Sequence, residues 1–323
     1  MKSREARKPR RGRAAFPAGA FTVGAEEREA ALERIVRAAI AEDLGAGDRT
    51  VAALALDRRP AQGVILAKQA GVLSGIDAAA RVFAAVDPEL QFTPRLSNGA
   101  KLEEGSLVGR VRGPVGPMLS AERTALNFLQ RLSGVASLTA RFVARVDGSG
   151  VAILDTRKTT PGLRILEKEA VRHGGGRNHR FGLYDAIMVK ENHIAAAGGV
   201  REALSRVIAH NRVSRPPLEV IVEIDDPTLL ESALADGVNQ ILLDNLAPFE
   251  VAEAGETIRR YNESRPARER IRVEVSGGVT LENVRAYADA GADLISTSVI
   301  TQSAPALDLA FDLRAGAPAD KES

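Results

Sequence analysis

PPLEVIVEIDDPTLLESALADGVNQILLDN, residues 216–245, reads as strand, connection and second strand. Its two runs, EVIVEID and NQILLDN, are apolar at nearly every position instead of every other one, the pattern of strands buried on both faces. The rhythm continues outward through VAILDT at 151–156, DAIMVK at 185–190, IRVEVSGG at 271–278 and ADLISTS at 292–298, with helical patterns between most of them. Buried strands alternating with helices imply a parallel sheet, either a barrel or a doubly wound sheet. The polar residues favour a barrel: Lys158 follows the first run, Lys190 ends the second, and Glu223, Asp244 and Ser276 end the next three. Those are carboxyl ends of strands, where (β/α) barrels assemble their active sites.

Upstream the pattern changes. Ala31, Leu32, Ile35, Val36, Ala39 and Ile40 fall at helical spacing between Glu26 and Glu42. From Ala61 to Leu119 short runs such as VILAK, QFTPRL and SLVGRVRG alternate with turn signals, interrupted by one helix from Gly75 to Val86. This describes a small α+β domain with a mostly antiparallel sheet. Ser120 then reads as the N-cap of a helix carrying Leu126, Leu129 and Leu132. The expected division is a disordered basic arm at 1–25, an N-terminal α/β sandwich domain at 26–133 and an incomplete α/β barrel at 134–304. A C-terminal helix at 305–315 is expected to pack on the first domain.

Of the 323 residues 45% are hydrophobic, enough for a large core, and none is Cys, which excludes disulfides and thiolate metal sites. The lack of a long apolar run argues against a membrane span, and a reducing, cytoplasmic setting is the natural expectation. Seven of the 44 basic residues but one of the 42 acidic ones lie in the first thirteen positions. The rest of the chain is therefore mildly acidic, and its net charge does not point to nucleic acid. The arm has no apolar core of a secretory signal.

DTRKTTPGLR at 155–164 sets Arg157 and Lys158 side by side, and adjacent cations on an extended chain serve different groups. An isolated pair of this kind is usually a solvated loop. HGGGRNHRFGLYDAIMVKENHI at 173–194 says more, for it gathers three of the four His with Arg177, Arg180 and Lys190. Its three glycines would let a loop approach a ligand closely. Arg forks suit carboxylates and phosphates, and Lys190 adds a compact charge. The bland reading is a flexible loop with structurally bonded His, and the His spacings match no zinc pattern. Glu223 and Asp244, on consecutive strands, would meet at the barrel mouth and hold ribose hydroxyls or support Mg²⁺, with general acid/base work on a sugar as the competing use. Asp225 and Asp226, before Pro227, are better placed as caps. Ser276, Gly277 and Gly278 would offer amides and a positive helix end to a phosphate, next to Thr297 and Ser298. The layout is a cationic end for a multiply anionic acceptor, an acidic middle and a phosphate site.

On these motifs, together with EDLGAGDRT at 42–50 and ERTALNFLQRLSGVAS at 122–137, the chain resembles the quinolinate phosphoribosyltransferases from about Ala31 to Ala304. The resemblance implies a type II phosphoribosyltransferase architecture and a homodimer with shared active sites, and leaves a higher oligomer open. It implies that quinolinate and phosphoribosyl pyrophosphate, with Mg²⁺, are converted to nicotinate mononucleotide, pyrophosphate and CO2. By residue match, Arg123 would reach into the neighbouring subunit's pocket and join Arg157, His179, Arg180 and Lys190 around the two quinolinate carboxylates, with Thr156 lining the same loop. Lys158 would face the pyrophosphate, Glu223 and Asp244 the ribose or its Mg²⁺, and Ser276 to Gly278 with Thr297 and Ser298 the 5′-phosphate. The family's ISxGxLTHS reads ISTSVITQS here, so Ser298 replaces a Gly and Gln302 a His. Alternatives are a paralogue for nicotinate or another acid, such as the molybdenum-operon branch; a barrel aldolase with Lys190 as Schiff-base amine; and a non-catalytic binding protein.

Overall fold

The computed structural model describes residues 23–56 and 58–314. Residues 1–22 of the expected basic arm lie outside them, and its Ala25 already opens helix α1 (Ala25–Leu44). Helix α2 (Arg49–Leu54) follows, capped by Asp48, whose carboxylate accepts from the Thr50 and Val51 amides. Strands β1 (Pro60–Ala67) and β2 (Gly71–Val72) lead to α3 (Ile76–Val86), then β3 (Gln91–Pro94), β4 (Lys101–Leu102) and β5 (Leu107–Pro114). The long helix α4 (Val115–Arg145) connects this part to the barrel. It begins five residues before Ser120, because Pro114 at φ −67° ends the strand and is itself the N-cap. The Ser120 hydroxyl instead donates to Asp48, and Thr124 donates to Asp43, which ties EDLGAGDRT to α4.

The first sheet is antiparallel in the order β12-β1-β5-β3, where β12 is Leu309–Arg314. The helix expected at 305–315 is thus a strand. Leu309, Phe311 and Leu313 alternate with more polar positions, and period two suits a sheet face. Phe311 covers Gly63 and Phe92 covers Gly109, and any larger residue at those glycines would overlap the rings. The covered face packs on α3 and α4, with Phe83 and Phe92 rings 5.6 Å apart.

The second sheet is parallel: β6 (Ala152–Leu154), β7 (Ile187–Val189), β8 (Val220–Ile224), β9 (Gln240–Asp244), β10 (Arg272–Ser276) and β11 (Leu294–Ser296), in the order β6-β11-β10-β9-β8-β7. Among the described residues no ladder joins β6 to β7, so the barrel is incomplete. Val222, Ile224, Ile241, Leu243, Val273 and Val275 belong to the main core, while Ala186, Ile221 and Leu242 form a separate cluster inside the curve of the sheet. Leu126, Leu129 and Leu132 of α4 are buried as expected, and Val135, Thr139 and Phe142 carry the same helix into the barrel half. The boundary expected at 133/134 therefore falls inside one continuous helix. Arg131 bridges the halves, donating to Glu167 of α5 (Arg164–His173) and to the Ala304 carbonyl.

Candidate active site

The strand ends converge as the polar residues imply. Arg157 and Lys158 follow β6 and are exposed; Lys190 follows β7; Glu223, Asp244 and Ser276 lie in β8, β9 and β10. Register puts Asp244 opposite Ser276, and Glu223 opposite Leu242. Lys190 Nζ donates to Glu223. Burial and the neighbouring Glu223 charge raise the Asp244 pKa, only partly offset by Lys190 and Lys158. Two carboxylates thus share the field of two ammonium groups. Asp226 caps the turn at Pro227 through the Thr228 amide, as expected.

The loop that carries His179 and Arg180 is held from beneath. Asp155 and Lys168, both buried, form an ion pair. Asp155 accepts the His179 amide at 2.8 Å and the Asn178 side chain at 2.5 Å, and Lys168 donates to the His179 carbonyl at 3.0 Å. Asp185 closes the following turn by accepting the Phe181 and Gly182 amides. Arg180 is brought beside Arg157: burial first, then that second guanidinium, lower its pKa from the ordinary value. Two like charges crowded at one place favour an anion between them.

Several expectations resolve differently. At Gly174 and Gly176 an added methyl group would run into Ala136 and Thr139 of α4, so these glycines admit a helix, not a ligand. His173 contacts the Ser74 hydroxyl at 2.9 Å, and His193 Nδ1 accepts the Lys190 amide, so both are structural. The His179 ring is 7% exposed and lies 3.3 Å from Glu274, a buried carboxylate absent from the sequence-derived set. Its signal was a charge flanked by valines in a strand buried on both faces. Asn245, also absent from that set, adopts φ +58° and donates to Asp244 at 2.9 Å.

At the end expected to bind phosphate, Gly277 and Gly278 both have positive φ, a backbone that presents amides freely. The helix expected directly after them starts only at Val284, so a turn, not a helix end, lies at this position. Thr297 is buried against the Val279 carbonyl, and Ser298 adjoins it at φ −81°. Arg123 is exposed on α4, and among the described residues no hydrogen bond or ion pair links it to the barrel mouth. No group of three or more metal-ligating side chains occurs among those residues. A cation between Glu223 and Asp244 would therefore complete its shell with substrate oxygens and water.

Comparison with known proteins agrees over both halves. Residues 48–133 match the N-terminal domain of quinolinate phosphoribosyl transferase, and residues 135–312 match its C-terminal domain. The chain is 38% identical over 282 residues to a probable nicotinate-nucleotide pyrophosphorylase [carboxylating] of Bacillus subtilis, covering 87% of this chain and 93% of the relative. It is 37% identical over 298 residues to quinolinate phosphoribosyltransferase [decarboxylating] 1 of Nicotiana glauca, covering 87% and 82%. The structure of NadC from Streptococcus pyogenes superposes with a TM-score of 0.81 at 36% identity, over 91% of this chain and 99% of that one. The chain belongs to the quinolinate phosphoribosyltransferase family.

Proposed function

We propose that this chain transfers the phosphoribosyl group of phosphoribosyl pyrophosphate to quinolinate with decarboxylation, giving nicotinate mononucleotide, pyrophosphate and CO2. The observation that carries the reading is that Arg180, crowded by Arg157, shares the barrel mouth with the carboxylates of Glu223 and Asp244. A dianionic ring relieves the first, and an electron-poor sugar carbon suits the second.

Arg157, Arg180 and Lys190 hold the two acceptor carboxylates, with Thr156 and His179 shaping the same loop and Arg123 entering from the other subunit of a homodimer. Lys158 faces the pyrophosphate. Glu223 and Asp244 lie under the ribose, and the Ser276 to Gly278 turn with Thr297 and Ser298 takes the 5′-phosphate. As the C1–O bond to pyrophosphate breaks, positive charge grows at C1, and the two carboxylates stabilise it while the pyridine nitrogen forms the new bond. The positive charge on the quaternised nitrogen then stabilises the electron pair that departing CO2 leaves on the adjacent ring carbon, and a proton takes the place of CO2 on that carbon. Mg²⁺, held through the pyrophosphate and by Glu223 and Asp244, would neutralise leaving-group charge. No side-chain nucleophile is needed. A cytoplasmic location remains part of this reading, resting on the cysteine-free sequence.

Incubation with quinolinate, phosphoribosyl pyrophosphate and Mg²⁺ should yield nicotinate mononucleotide and CO2 in equal amounts. Product from nicotinate but none from quinolinate would overturn the assignment. Borohydride trapping of a carbonyl substrate on Lys190 would point to an aldolase instead.

A further inference from the structure

Glu274 lies within β10, two residues before Ser276, and is wholly buried. Barrel interiors are ordinarily filled by branched apolar side chains, as Ile221 and Leu242 are buried in a cluster of their own. A carboxylate there is costly unless donors surround it. Its Oε2 accepts from Gln240 Nε2 of β9 and faces His179 Nε2 at 3.3 Å. Burial pushes its pKa up, but His179, Ser296 and Gln240 outweigh that and hold it below the usual carboxylate range. Even so, Oε1 is left without a hydrogen-bond partner of good geometry among the described residues. A carboxylate kept in that position at a cost to the fold calls for a role at the site directly above it.

The His179 ring supplies the link. Its Nδ1 lies 2.7 Å from the Arg180 backbone nitrogen. A backbone N–H can only donate, so Nδ1 carries the lone pair and Nε2, facing Glu274, carries the proton. Neither ring nitrogen remains for a ligand. What the ring holds is the backbone of Arg180, whose guanidinium is steadied by the Ala186 carbonyl at 3.2 Å.

We propose that Glu274 is a positioning residue for quinolinate recognition: it fixes the tautomer and orientation of His179, which grips the Arg180 amide and so aims the Arg180 guanidinium at a substrate carboxylate. This rests on the function proposed above and assigns His179 an indirect part in it. The phosphoribosyl half of the site does not depend on this relay.

The test is the split between the two Michaelis constants. In Glu274→Gln the constant for quinolinate should rise roughly tenfold, while that for phosphoribosyl pyrophosphate should change by less than about twofold. His179→Phe should lose as much, and the double variant no more than His179→Phe alone, because the carboxylate acts only through the ring. Nitrogen-15 NMR of the wild-type protein should show His179 protonated at Nε2 and not at Nδ1, and Glu274→Gln should lose that fixed tautomer. An unchanged quinolinate constant, an equal rise in both constants, additive losses, or an Nδ1–H tautomer would each overturn the proposal. If Glu274→Gln does not fold, the wild-type tautomer and the His179→Phe constants still decide. Wild-type protein that does not turn over quinolinate would sink the functional reading instead, and the tautomer measurement does not depend on turnover.

Discussion

Lys190, just after β7, and Glu223, near the end of the neighbouring β8, are ion-paired at the barrel mouth. With the lysine side chain 43% exposed, such a pair adds at most about 1 kcal/mol to stability. Its importance is placement, since the proposed chemistry assigns Lys190 to the acceptor and Glu223 to the ribose. Substrate binding must therefore redistribute this pair. Glu223→Gln should lower kcat by roughly 10²- to 10³-fold, the usual effect of removing one electrostatic stabiliser of the transition state. The quinolinate Michaelis constant should stay level or fall, because Lys190 is released. Initial rates over a matrix of both substrates decide, and a raised quinolinate constant would contradict the division of labour.

Asp244 carries a pH prediction. Its folded-state pKa is raised, first by burial and then by Glu223. The unfolded chain thus ionises Asp244 at lower pH than the folded one. The stabilisation is present below the ordinary Asp value and is lost as pH rises through the raised value, so at neutral pH the charge works against the fold. Asp244→Asn should abolish turnover yet raise Tm at neutral pH by on the order of 2 °C. The gain should shrink as pH falls and vanish below about 4, where both states carry the proton. A Tm lowered at neutral pH would show that Asp244 is held by favourable contacts instead.

The buried pair beneath the loop carries a stability prediction. Lys168 and Asp155 are 3% and 0% exposed, and the pair holds both backbone groups of His179. Burial already pushes the Asp155 pKa up and the Lys168 pKa down, and Lys168→Met leaves Asp155 buried without its ammonium partner. Loss of one member of such a pair costs about 3–5 kcal/mol, which chemical denaturation should register as a lower midpoint at an unchanged slope. A loss under about 1 kcal/mol would mean that water replaces the ammonium.

How far the sequence reveals this site depends on which interactions are local. The six barrel strands are legible because burial on both faces leaves a continuous apolar run, and their polar ends mark the mouth. Strand β12 is harder to read: Leu309, Phe311 and Leu313 alternate, but the partner that makes this meaningful, Gly63, lies far off in the chain. The same distance hides the purpose of Gly174 and Gly176, whose neighbours are on α4. Glu274 is visible as an anomaly within VEV, but its target depends on how the 174–186 loop folds over the barrel.

Arg123 supplies a test of the shared site. It is exposed on α4 with no bond to its own barrel mouth among the described residues. If it serves the partner, Arg123→Ala and Lys190→Ala should each be nearly inactive alone. Dissociated and reassembled in equal amounts, they should recover about a quarter of wild-type activity, since half the dimers are mixed and each mixed dimer has one intact site. No recovery, with mixed dimers verified by mass spectrometry, would place Arg123 in its own subunit's pocket or outside the site.

Ser298 stands where the family has Gly, and its backbone indicates what to expect. At φ −81°, ψ −14° the residue is in the right-handed helical region, open to any L-amino acid. Its carbonyl accepts from the Thr301 and Gln302 amides at 3.1 and 2.7 Å, so the turn is held by the main chain. The side chain makes no capping hydrogen bond. Gly at this position would bring only extra freedom to the unfolded chain. Ser298→Gly should therefore cost about 0.5–1 kcal/mol of stability without improving the site. The phosphoribosyl pyrophosphate Michaelis constant should stay within about threefold of wild type, a change worth less than 1 kcal/mol of binding. A tenfold lower constant in the Gly variant would show that the hydroxymethyl group stands in the phosphate's place, and that the space above the turn, not its backbone, limits affinity for the donor.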